Sequence, residues 1–500
     1  MKKAKCIVDK NHSIAKAEPE LFGSFIEHLG RAVYGGIYEP EHPLADEDGF
    51  RKDVIDAVHK LNVPVIRYPG GNFLSGYNWT DGIGPKEKRP RRLELAWHSI
   101  ETNAIGIDEF VKWAAKANSK VMGAVNLGTG TPQEAANLVE YCNHPGGTYW
   151  SDLRIQNGSK DPYDIKIWCL GNEMDGDWQM GQLSSADYAK KAKEAAKMMR
   201  LVDPEIKLVA CGSSGPGMAT YPEWDRVILE SLYEQVDFLS LHQYFEYKGD
   251  VQEFIASFYE MDQFIKTVSA VTDYVKTKTR SKKNMYLSFD EWNIWYMSQQ
   301  QKHDWLEAPE ILENRYTLLD ALTVGGMICS LLNNSDRVKM ACLAQLINVI
   351  APIVTEKNGG IFIQPIYYPF FQASVHASGG TVLKSLSTIP EIEIEKYGKV
   401  PVIQNSVIYD REKKKLTVLA LNCDQKDTVS FEIDARSFGK TVPVEHLCLK
   451  GDDLFAQNSF EKPENVVPCN LDISGIENNS GHITINLQPL SWNVVIFSTD

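Results

Sequence analysis

The chain contains no apolar run of about 18 residues, the length that a membrane-crossing helix needs, so no membrane partner is expected. It also has no G-x-G-x-x-G and no complete P-loop, the turns that aim backbone N–H groups at phosphates, and so calls for no nucleotide cofactor. No H-E-x-x-H or C-x-x-C occurs, which removes the common zinc frameworks and leaves no metal expected. Its nine cysteines are odd in number and scattered, unlike a disulfide scaffold, and no signal-peptide-like apolar stretch follows Met1; a reducing cytoplasm is the expected location. Basic charge is in deficit. Lys+Arg 52 against Asp+Glu 66 gives a net charge of −14, which repels nucleic acid and anionic lipid. The only dense basic run, Lys86 to Arg92, reads as a solvated loop.

What is present is a long alternation of short apolar runs with amphipathic ones. Strand patterns fall at 21–27, 63–68, 120–126, 164–170, 207–211, 236–242, 284–289 and 341–347. Helical spacing fills the gaps, at 51–61, 107–117, 133–142, 186–202, 224–234, 251–278 and 312–332. Eight strands with helices between them fit an α/β fold, a (β/α)₈ TIM barrel, over 19–378. A doubly wound open sheet is the competing topology. The glycine-rich stretch 212–217 lacks the lysine of a phosphate loop and reads as an ordinary loop. From 379 to 500 the runs shorten, alternate, and become rich in Val, Ile and Thr, the pattern of a β-sandwich. Two strand-like segments within 1–18 have no place in a closed barrel and are expected to complete that sandwich.

In a TIM barrel, chemistry gathers at the C-terminal ends of the strands. Polar residues fall there repeatedly: Glu27, then Arg67 followed closely by Asn72, Asn126, Asn172 with Glu173, His242 with Tyr244, Glu291, and Gln345 with Asn348. Singly, each has an ordinary reading. A lone glutamate at a strand end commonly pairs with a cation or serves a helix cap, His242 alone suits a core, and Arg67 could tie barrel layers together. Together they suit a sugar, which asks for a ring of hydrogen-bonding groups and aromatics. Glu173 and Glu291 stand after strands four and seven, on opposite sides of the barrel mouth. Two facing carboxyl groups can cleave a glycosidic bond, one donating a proton to the leaving oxygen while the other attacks or activates water.

The segments Trp168-Cys169-Leu170-Gly171-Asn172-Glu173-Met174-Asp175-Gly176 and Phe289-Asp290-Glu291-Trp292-Asn293-Ile294-Trp295-Tyr296 resemble the α-L-arabinofuranosidases of glycoside hydrolase family 51. The stretches 22–30, 67–73, 344–352 and 489–494 are similar to that family as well, so the resemblance runs through nearly the whole chain. It implies a TIM barrel with a jelly-roll-like β-sandwich, and retaining release of terminal α-L-arabinofuranosyl groups from arabinan- or arabinoxylan-derived oligosaccharides. It implies Glu173 as acid/base and Glu291 as nucleophile. Glu27, Asn72, Asn172, Tyr244 and Gln345 would bind the sugar, Arg67 and His242 would support the nucleophile, and Trp178 and Trp295 would wall the cleft. By the same resemblance the chain assembles as a homo-oligomer, a hexamer. A glycosidase of the same clan acting on another sugar, such as a β-xylosidase or endoglucanase, and a catalytically inactive carbohydrate-binding protein are the alternatives.

Overall fold

Eight short apolar segments become the strands of a closed parallel barrel. They are β1 (Gly23–Phe25), β2 (Val65–Tyr68), β3 (Lys120–Val125), β4 (Ile167–Leu170), β5 (Lys207–Ala210), β6 (Phe238–Phe245), β7 (Tyr286–Ile294) and β8 (Val338–Ala344). Each pairs with its sequence neighbour, and β8 closes onto β1, which excludes the open doubly wound sheet. The computed structural model describes residues 1–299 and 304–500. The strands are buried on both faces, which is why they read as continuous apolar runs. Phe25, Val65, Met122, Cys169, Val209 and Met340 are among the side chains that fill the barrel interior.

All eight strand positions agree with the sequence pattern, but two strands run further than expected. β6 continues to Phe245 and β7 to Ile294, so Tyr244 and Glu291 lie within strands rather than after them. Some helices differ too. The 251–278 pattern divides into Val251–Ile255 and Phe258–Thr279, with the Ser257 hydroxyl donating to the Phe254 carbonyl at the break. The helix expected from 312 starts at Leu318, because Leu312 takes a left-handed backbone and Thr317 with Asp320 forms a reciprocal capping box. The basic run at 86–92 also differs from a simple solvated loop. The Arg89 side chain is buried, donating to the Gly84 and Asn103 carbonyls and pairing with Glu109, while Arg91 and Arg92 pair with Glu307 and Asp81.

Apart from three two-stranded hairpins, the remaining strands among the described residues form two sheets packed face to face. One holds Leu386–Thr388, Lys2–Ile7, Val429–Asp434, His482–Leu487 and Glu477–Asn479. The other runs Ser13–Lys16, Thr381–Leu383, Ile403–Asp410, Lys415–Asn422, Ser491–Thr499, Thr441–Leu449 and Cys469–Asn470. Lys2–Ile7 lies parallel to Val429–Asp434, and Ser13–Lys16 antiparallel to Thr381–Leu383, so both N-terminal strands join the C-terminal sheets.

The helix Leu318–Asn333 joins the two parts. Every residue from Leu318 to Leu332 is buried, because the helix packs between the barrel and the strands Ile403–Asp410, Lys415–Asn422 and Ser491–Thr499. A helix apolar all round is what such a double burial requires. Gly325 and Gly326 permit the close approach: a Cβ on Gly325 would stand 2.6 Å from the buried Trp492 ring, and one on Gly326 2.9 Å from Phe258.

Candidate active site

The C-terminal ends of the barrel strands bring every candidate named from the sequence into one cluster, apart from Asn126 and Asn348. Those two hold loops: Asn126 accepts from the Gly128 and Gly130 N–H groups, and Asn348 donates to the Arg31 carbonyl.

Glu291, on β7, sits at the centre. Arg67, from β2, donates through Nη1 to Glu291 Oε1 at 2.6 Å and through Nη2 to Asn172 Oδ1 at 2.7 Å. The Tyr244 hydroxyl donates to Glu291 Oε2 at 2.8 Å. Glu173, in a left-handed backbone conformation just beyond β4, lies opposite. His242 Nδ1 stands 2.9 Å from Glu173 Oε1 and 3.6 Å from Glu291 Oε2. One oxygen of each glutamate and a ring nitrogen of His242 lie within 4.8 Å of one another. Trp178, 50% exposed, covers the outer side, its indole N–H donating to Glu173 Oε2 at 2.8 Å.

The sugar-binding candidates surround this pair. Glu27 Oε1 accepts from the Phe73 N–H at 2.8 Å, and its backbone N–H donates to Gln345 Oε1 at 3.0 Å. Asn72 opens the turn Asn72–Gly76, with its Oδ1 3.5 Å from Asn172 Nδ2. Trp295 meets Tyr244 edge to face at 5.1 Å, and its buried indole N–H has no partner among the described residues.

Two residues to which the sequence reading assigns no role complete the cluster. Asp290 accepts from His242 Nε2 at 3.2 Å and from the Ser240 hydroxyl, and lies 3.9 Å from Arg67 Nε. Strand alternation would send it away from the face that Glu291 uses. Register irregularities in β6 between Ser240 and His242, and in β7 between Phe289 and Trp292, break that alternation, so both acids reach His242. Trp97 comes from a hairpin after β2 and donates to Glu27 Oε1 at 2.9 Å. Glu94 shapes that hairpin by accepting from the Ala96 and Trp97 N–H groups. Nothing in the sequence marks a loop tryptophan for this place.

The electrostatics follow from burying several acids together. Burial pushes the Glu27 carboxyl up to about 8, with the charges of Glu291 and Glu94 adding to the effect. Burial also raises Glu173, and the Glu291 charge raises it further, while the His242 and Trp178 hydrogen bonds act in the opposite direction. For His242 burial would depress the pKa, but Glu291, Asp290 and Glu173 outweigh it and lift the imidazole to about 10. Asp290 is held below its ordinary range: burial opposes this, and His242 and Arg67 prevail. Glu173, His242 and Glu291 have the spacing of a cation site. A protonated His242 already supplies positive charge there, and both its ring nitrogens face carboxylates, leaving no free lone pair for a metal.

Chemically, the cluster offers a carboxyl group that burial and the Glu291 charge push toward its protonated form, facing a carboxylate in an ion pair, inside a ring of hydrogen-bonding groups. Residues 57–282 match the α-L-arabinofuranosidase 1 domain, and residues 290–491 match the α-L-arabinofuranosidase C-terminal domain. The chain is 51% identical over 499 residues, 99% of each protein, to the intracellular exo-α-(1→5)-L-arabinofuranosidase 1 of Bacillus subtilis strain 168. The family 51 α-L-arabinofuranosidase AbfB of Bifidobacterium longum is 43% identical and superposes with a TM-score of 0.95, covering 99% of this chain and 100% of that one. The chain belongs to the α-L-arabinofuranosidases of glycoside hydrolase family 51. Linkage preference varies among its relatives, since a 44% identical protein of Bifidobacterium longum, matched over 99% of this chain and 97% of its own length, is named an exo-α-(1→6)-L-arabinofuranosidase.

Proposed function

We propose that this family 51 member is an exo-acting, retaining α-L-arabinofuranosidase that releases terminal non-reducing α-L-arabinofuranosyl residues from oligosaccharides. The observation that carries the reading is the separation of Glu173 and Glu291, whose closest oxygens lie within 4.8 Å. Retaining glycosidases hold their two carboxyl groups about 5–5.5 Å apart, whereas inverting enzymes need about 6.5–9.5 Å to admit a water. In this reading Glu291 Oε attacks the anomeric carbon while Glu173 gives its proton to the departing oxygen, forming a covalent arabinosyl ester. Glu173 then takes a proton from water, which displaces Glu291 and frees the sugar with its configuration retained.

The surrounding residues divide the remaining work. Arg67 and Tyr244 hold Glu291 from two directions and fix its line of attack. His242, tied to Asp290, keeps Glu173 oriented and moderates the mutual repulsion of the acids. Asn172, anchored through its Oδ1 to Arg67, turns its amide donor, which otherwise makes only long 3.5 Å contacts to Asn72 and Gln179, to the sugar 2-hydroxyl, whose hydrogen bond strengthens as the oxocarbenium ion develops. Glu27, Asn72 and Gln345 receive the other hydroxyls, and Trp178 and Trp295 wall the entrance. We assign the polypeptide to three stretches, 1–18 and 379–500 for the sandwich and 19–378 for the barrel. An intracellular site of action and a hexameric assembly complete the proposal, the first resting on the names of the relatives.

Hydrolysis of 4-nitrophenyl α-L-arabinofuranoside beside the matching β-xyloside, followed by NMR for anomeric configuration, tests this function. The expected result is preference for the arabinoside, first release of the α-anomer, and loss of release in Glu291→Ala. A β-anomer as first product, or equal turnover by Glu291→Ala, rejects the mechanism.

A further inference from the structure

Eight of the nine cysteines are buried, and Cys469 alone is exposed. It lies on the short edge strand Cys469–Asn470, which pairs antiparallel with Thr441–Leu449 so that Cys469 stands directly opposite the buried Cys448. Residues directly opposed in an antiparallel pair point to the same face with Cα atoms about 4.5–5.5 Å apart, inside the roughly 4.4–6.8 Å that a disulfide spans. The backbone therefore holds two thiols in bonding register without being asked to move.

Residues 449–468, between the two thiols, dock on the barrel. The Leu318 and Leu319 N–H groups, left unpaired at the start of the interdomain helix, donate to the Ala456 and Leu454 carbonyls at 3.0 and 2.9 Å. Asn458 donates to the Ile363 carbonyl, and Phe455 packs on Tyr247. A covalent link at 448–469 would close the base of this loop and restrict the freedom it gains on unfolding.

We propose that Cys448 and Cys469 form a reversible disulfide that staples this docking loop to the sandwich. The exposed Cys469 thiolate attacks a small-molecule disulfide, forming a mixed disulfide and expelling one thiolate, which takes up the proton that Cys469 released. The Cys448 thiolate then attacks the Cys469 sulfur and expels the second small thiolate, which takes up the Cys448 proton. Two protein thiols are oxidised and one external disulfide is reduced to two thiols. Cys448 is pushed up to about 12 by burial and by the nearby Cys469, so its thiolate is scarce and the second step is the slow one.

The test is incubation of the full-length protein with oxidised glutathione, followed by intact-mass analysis, peptide mapping and thermal unfolding. Wild type should pass through a single glutathione adduct to a species two hydrogens lighter, with Cys448 and Cys469 in one linked peptide. Cys469→Ser should do neither, and Cys448→Ser should stop at the adduct. The unfolding midpoint of the oxidised wild type should rise by about 3 °C and fall back with reductant. A persistent adduct in wild type, a link to any other cysteine, or a link without a midpoint shift overturns the proposal.

Discussion

Replacing Trp178 by phenylalanine deletes the indole N–H that donates to Glu173 Oε2 at 2.8 Å while keeping an aromatic wall. That donor favours the ionised carboxylate, so its loss raises the pKa of Glu173 above the position that burial and Glu291 already give it. A hydrogen bond to a charged group contributes about 1.5–3 kcal/mol when shielded from water. Trp178 is 50% exposed, and water replaces much of the missing donor, leaving roughly 0.5–1 kcal/mol. At about 1.36 kcal/mol per pH unit, the effect is an upward move of roughly 0.4–0.7 of a unit. The assay is the pH dependence of kcat/KM, which reports the free enzyme. Glu173 must carry a proton to protonate the leaving oxygen, so the alkaline limb belongs to it and should move up by that amount, whatever happens to the plateau. A limb that stays in place or moves down refutes the coupling of Trp178 to the acid/base.

Other perturbations follow from the same structure. His242 has a raised folded pKa, so the stability it contributes is fully present below its ordinary 6.5 and is lost as pH rises through about 10. Denaturant midpoints of wild type and His242→Gln should therefore differ most near pH 6 and converge toward pH 10; parallel curves would count against an imidazolium at this site. Gly325→Ala adds a methyl 2.6 Å from the Trp492 ring, and overpacking of about 1–3 kcal/mol exceeds the roughly 1 kcal/mol that alanine gains in a helix. Calorimetry should show a lower midpoint, and an unchanged or higher one would mean that Trp492 has room to shift.

The barrel was legible because its strands are apolar throughout and separated by helices long enough to return the chain, which is a sequence pattern. The paired glutamates were legible because each follows a strongly apolar run, even though the strand that holds Glu291 continues past it. Asp290 was hidden by the strand rule itself: alternation is the only guide from sequence, and the register irregularities that override it arise from pairing with neighbours far along the chain. Trp97 and Arg89 were hidden because loop side chains are placed by partners distant in sequence or by backbone carbonyls, Glu27 in one case and Gly84 and Asn103 in the other. The late start of the helix at Leu318 was readable in principle, since Thr317 and Asp320 carry the spacing of a capping box.

The helix Leu318–Asn333 turns no side to solvent over nearly its whole length. One flank of the catalytic half is thus sealed by the other half of the molecule, and a chain cut after the barrel would present an oily rod to water. The sandwich serves as a load-sharing wall rather than a detachable passenger, and the two halves should melt in a single event and resist exchange with sandwiches from unrelated glycosidases.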